Sequence, residues 1–206
     1  MDKTINQLLG DMKEGKKIRV KKFKDLIRSM LFDLQDHDYE KIKPGTSYYN
    51  GKPSYYKNGA PMTYCNVFCY LFSARFGKDI SPLLGINPRS KKPSPFYTPI
   101  NYFLKNCVNQ DTCKRISQEI NFKEAQNFAK FGGLVFVIAE EKFDSVGDLI
   151  DPGHMALVYP QDEIEENESD IMIAGAGSAA VWGLRTNYDA FLKYGYNPRY
   201  FLILDN

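Results

Sequence analysis

The feature that most constrains this chain is a change of hydrophobic period at Gly132-Gly133. Upstream, apolar residues recur at helical spacing; downstream they gather in short runs bounded by turns. Residues 18–35 place Val20, Phe23, Ile27, Met30, Leu31 and Leu34 along one helical stripe. Residues 62–77 predict a second helix, with Val67, Phe68, Leu71 and Phe72 on its apolar face and Gly77 as terminator. Helical pattern returns weakly over 102–107 and more firmly over 122–131, ending at the glycine pair. Beyond the pair, LVFVIA, HMALVY, DIMIA and RYFLIL are rich in β-branched and aromatic residues and predict strands. Helices first, then strands with short connections, predict an α+β fold with an antiparallel sheet.

At 206 residues and 43% hydrophobic composition, the chain can bury an ordinary core without staples. Lys and Arg number 27 against 25 for Asp and Glu, so no large field draws in nucleic acid. The first thirty residues mix apolar and charged positions without a secretory signal pattern, and no apolar run reaches membrane-spanning length. The expectation is synthesis in the cytoplasm, with delivery by lysis or a secretion machine if the protein acts at a cell wall. Residues 1–43 read as an N-terminal helical segment docked on a domain spanning 44–206; the basic cluster Lys21, Lys22 and Lys24 supports the alternative of a partner-binding helix. Residues 45–61, rich in Gly, Pro and Asn, read as a long loop whose Tyr48, Tyr49, Tyr55 and Tyr56 are candidates to line a groove. The acidic stretch 161–170 reads as a solvated hairpin connection.

Cys65, Cys69, Cys107 and Cys113 lack the close pairing of a zinc site, and only His37 and His154 could assist them, so no metal or other cofactor is expected. The chemistry that these residues allow is nucleophilic. A thiol attacks a carbonyl as thiolate, and its pKa is lowered by a helix N-terminus or a nearby imidazolium. Cys65 stands where the first helical turn begins, and His154 follows Asp151-Pro152-Gly153 at the head of a strand. The plainer alternatives are a buried small cysteine and a satisfied histidine. Cys69, one turn deeper, reads as core packing; Cys107 and Cys113 carry no motif, and His37 reads as a surface or capping residue.

The stretch TYCNVFCYLFSARFG resembles the nucleophile helix of papain-like cell-wall hydrolases of the CHAP and NlpC groups. GGLVFVIA followed by DPGHMALVYP resembles the paired strands of the same clan, in which Gly-His opens a run of small and β-branched residues. The resemblance implies a papain-like domain whose nucleophile helix packs on an antiparallel sheet bearing the histidine. It also implies cleavage of peptide or amide bonds in peptidoglycan peptide stems through a thioester. Cys65 would then be nucleophile, His154 general base and acid, and the Cys65 N–H an oxyanion donor, with Tyr64 and Asn66 touching substrate. A simple hairpin reading sets Ala174, Gly175 or Ala176 opposite His154, and none of these side chains can orient an imidazole. Three possibilities remain: a backbone carbonyl, a polar residue from elsewhere (Asp170, Ser178 or Asn187), or loss of activity. The same fold and dyad also suit a thioester-forming acyltransferase or protein-modifying toxin. A non-catalytic papain-like binding domain is a third class.

Overall fold

A computed structural model of the chain describes residues 4–13, 15–32, 65–84, 100–109, 115–151, 153–176 and 183–204. The tyrosine loop at 45–61, Tyr64, His37, Cys113, Ser178 and residues 85–99 lie outside the described residues. Two helices open the chain, α1 (Ile5–Lys13) and α2 (Lys16–Phe32). The stripe predicted for α2 is buried at Phe23, Ile27, Met30 and Leu31, while Lys17, Lys21 and Lys22 stay exposed. Next comes α3 (Cys65–Phe76), which Gly77 ends at a φ of +95°, a conformation that costs a glycine little. Aromatic rings bind these two helices together: Phe23 lies 4.7 Å from Phe72 and 5.8 Å from Phe76, centroid to centroid.

After α4 (Ile100–Asn109) come β1 (Ser117–Ile120), α5 (Phe122–Lys130) and β2 (Leu134–Ala139). Asn121 and Glu124 close a reciprocal capping box at the start of α5, satisfying two backbone donors that a helix N-terminus leaves open. The chain continues through β3 (Lys142–Phe143), β4 (Leu149–Asp151), β5 (His154–Val158) and β6 (Met172–Gly175). It ends with β7 (Gly183–Thr186), α6 (Asn187–Ala190) and β8 (Arg199–Ile203). Six strands form one antiparallel sheet in the order β1-β8-β2-β5-β6-β7, and β3 with β4 makes a separate hairpin between β2 and β5. The α+β expectation is met, with helices preceding a six-stranded antiparallel sheet.

The pleat sends alternate side chains into two cores. Phe136, Ile138, Met155, Leu157 and Phe201 face α2, α3 and α4. Val135, Val137, Ala139, Ala156, Val158 and Leu202 face α5 and the Ala190–Phe191 corner, with Ile5, Leu8, Leu9 and Met12 of α1 laid against that layer. The glycine pair at the period change is the seat of the N-terminal helices. A Cβ on Gly132, at φ +78°, would meet Arg19 Cβ at 2.6 Å, and one on Gly133 would meet Met12 Cε at 2.6 Å. Arg19 completes the joint by donating to the carbonyls of Phe131 and Met12.

Candidate active site

Cys65 is the first residue of α3, and the start of that helix lies against β5. The backbone N–H groups of Met155, Asn66 and Cys65 itself favour the thiolate, as a helix N-terminus should. Burial outweighs them. With only 4% of its surface exposed, the thiol is pushed up to about 11. The pKa lowering expected of a helix-start cysteine is therefore absent from this conformation, because desolvation of the anion exceeds the help from three N–H dipoles. Cys69, one turn deeper, is fully buried and its pKa is raised by burial and then by Cys65, in keeping with a packing role.

His154 opens β5 as expected, but its ring does not face the sulfur. Its cross-strand neighbour is Ala139, and Met155 pairs with Ile138. Ala139 belongs to the layer under α5, whereas Ile138 and Met155 belong to the layer with Cys65. Alternation along β5 thus turns the imidazole to the face opposite the thiol. There it tilts against Phe191, with centroids 5.2 Å apart. Burial pushes its pKa down to about 3, so the ring is neutral, and Nε2 has no hydrogen-bond partner among the described residues. The expected meeting of sulfur and imidazole is not formed in this conformation. What the structure brings together is the sulfur and the backbone of the residue next to His154.

Of the residues expected to orient the imidazole, Asp170 and Asn187 are described, and neither reaches it. Asp170 ends a short 3-10 turn (Glu168–Asp170), and its oxygens accept from Asn167 Nδ2 and the Ser169 hydroxyl, each at 3.1 Å. Pairing of Leu157 with Ala174 and Val158 with Ile173 sets Asp170, which precedes β6, beyond the Val158 end of β5, the end opposite His154. Asp170 therefore cannot orient the ring. The same register pairs Ala174 with Leu157, three residues along β5 from His154. Asn187 shares the Phe191 side of the sheet, but its Nδ2 donates to the Glu168 carbonyl and the Tyr200 hydroxyl, both at 3.1 Å. It braces the acidic connection, whose Glu168 also accepts from the Tyr200 hydroxyl at 2.8 Å, rather than the histidine. Asn66, expected at the substrate, is buried, and its Oδ1 accepts from the Val67 N–H at 2.9 Å.

Sequence reasoning passed over the pair Asp151 and Tyr196. The Tyr196 hydroxyl donates to Asp151 Oδ1, which also accepts the Gly153 N–H at 3.1 Å. Burial, then Asp151, then the charge of an ionised Cys65 raise the tyrosine pKa, so the hydroxyl stays protonated. The available signal was Asp-x-Gly, an Asx turn in which a carboxylate accepts an N–H two residues on; nothing local points to Tyr196. Among the described residues no group of three or more His, Cys, Asp or Glu side chains could hold a metal ion, and no helix is long and apolar enough to cross a membrane. A cavity of about 620 Å³ lies at the far end of the sheet, lined by Leu8, Met12, Leu134 and Leu202 among others, and touches neither Cys65 nor His154. Comparison with protein-family models, curated proteins and solved structures gives no match.

Proposed function

We propose that this chain is a papain-like cysteine amidase or peptidase that cleaves peptide or amide bonds of peptidoglycan through a thioester on Cys65. The observation that carries the reading is the arrival of the α3 N-terminus at β5, where backbone N–H groups of Cys65, Asn66 and Met155, the residue after His154, converge on the Cys65 sulfur. The Cys-Asn opening of an aromatic helix and the Gly-His opening of a strand supply the cell-wall substrate class. In the reaction His154 takes the thiol proton as sulfur attacks the carbonyl carbon, and the carbonyl oxygen gains charge at the helix start. The imidazolium then protonates the leaving amine, and water activated by the same ring hydrolyses the thioester. For this the ring must turn to the α3 face. His154 is the first residue of β5, so a local change at Gly153-His154 suffices without slipping the whole strand.

A second reading is favoured by the same geometry: a non-catalytic papain-like domain in which Cys65 and His154 are neutral core residues on opposite faces. Zymography on purified cell wall separates the two. Hydrolysis predicts clearing by the parent protein, a drop of at least about a thousandfold in Cys65→Ser and His154→Ala, and retained clearing in Cys69→Ser. Equal clearing by all four proteins sinks the dyad. No clearing by the parent, with retention on sedimented walls, selects the binding domain.

A further inference from the structure

We propose that the Asp151–Tyr196 hydrogen bond is a latch that keeps His154 on the Phe191 face of β5, so that both residues act as positioning residues for the imidazole. The proposal deepens the dyad reading and rests on it for its functional meaning, but its contacts are independent of any substrate. Asp151 ends β4, and its carboxylate ties two segments at once through the Tyr196 hydroxyl and the Gly153 N–H. Gly153 in turn fixes the entry to His154: at φ +67°, a Cβ there would lie 2.6 Å from the Ala139 carbonyl oxygen. On the other side Tyr196 meets Phe191 edge-on at 6.2 Å, and Phe191 holds the imidazole. Lys142 of β3 clamps the tyrosine by lying 4.2 Å over its ring while donating to the carbonyls of Tyr194 and Gly195. One chain of contacts thus runs from the hairpin through Tyr196 and Phe191 to the ring of His154.

The hairpin that bears the latch is the part of this region best able to open. Two-stranded hairpins are marginal alone in water, and this one leaves Phe143, Val146, Leu149 and Ile150 at 45–80% exposure. Opening it disturbs few buried contacts, whereas moving β2 or β5 would break both cores. Once Tyr196 lets go, the Asp151–Gly153 turn is tied to the rest of the fold by one contact fewer, and the first residue of β5 is free to re-aim with it.

The test follows the ring by its imidazole NMR titration, with His37→Gln to leave one histidine, and follows the thiol by mass-spectrometric iodoacetamide labelling against Cys69 and Cys107. Tyr196→Phe keeps the ring on Phe191 but deletes the hydroxyl. It is expected to move the His154 titration up by at least about one unit and to raise Cys65 labelling about tenfold relative to Cys69. Asp151→Asn still offers an acceptor to both donors and is expected to behave as the parent, whereas Asp151→Ala should behave as Tyr196→Phe. If Tyr196→Phe does not fold, Lys142→Met, which loosens the clamp alone, carries the same expectation. An unchanged titration and unchanged labelling, or equal acceleration of all three thiols, overturns the latch. These readouts need no cell wall, so a failed zymogram with a responsive ring removes the hydrolase reading and leaves the latch standing.

Discussion

With its pKa pushed down to about 3 by burial, the His154 ring binds a proton in the unfolded chain across a range where the folded protein binds none. Stability from this group is complete above its ordinary value of 6.5 and is lost as pH falls from there towards 3. The slope reaches about 1.4 kcal/mol per pH unit. Urea unfolding at pH 7 and pH 5 should show His154→Leu losing about 2 kcal/mol less than the parent over that interval. Identical pH dependence in the two proteins would mean that the ring is solvated or charged when folded. Local signals made the two candidate residues legible: a helix start after a loop for Cys65, a turn before a strand for His154. The face of the ring was not legible. All five residues of β5 are buried, so its sequence lacks the apolar–polar alternation that assigns side chains to faces.

Among elements, those with a strong period or a cap were readable and those at the sheet edges were not. The α2 stripe and the Asn121–Glu124 box declare themselves, whereas β1 is Ser-Gln-Glu-Ile and β7 is Gly-Leu-Arg-Thr, strands paired on one side only with polar residues at mid-strand. The nine-residue α1 buries no residue fully, and its stripe from Ile5 to Met12 is too short to stand out beside charged neighbours. The Gly132-Gly133 pair was legible as a period break, but its second role as a seat depends on residues more than a hundred positions away. Gly132→Ala forces an alanine to φ +78° and against Arg19, and should cost about 1–3 kcal/mol while speeding tryptic cleavage within α1 and α2. Gly10→Ala, at a helical position with nothing within 4 Å, should instead stabilise by about 0.5–1 kcal/mol. If the two substitutions proved equal in thermal melts and proteolysis, the seat would have no energetic weight.

For the molecule as a whole, the decisive question is whether the N-terminal helices, which read from sequence as a segment of their own, unfold with the rest. Phe23 has no exposed surface and packs on Phe72 and Phe76 of α3 and, 6.2 Å away, on Tyr159 just past β5. It thereby joins the helix that starts at Cys65 to the strand that starts at His154. A cavity left there is walled by rings from two separate segments that cannot both collapse onto it, so Phe23→Ala should cost about 3–5 kcal/mol. Because α2 and the sheet share one core, that loss should appear as one cooperative transition shifted down in temperature, with far-ultraviolet dichroism and Cys69 alkylation moving together. Early loss of helix signal, with Cys69 still protected, would instead make α2 a separable attachment. In the cooperative case the same substitution should also loosen α3 against β5 and raise Cys65 labelling below the melting temperature, because Phe23 and Cys65 belong to one packed core.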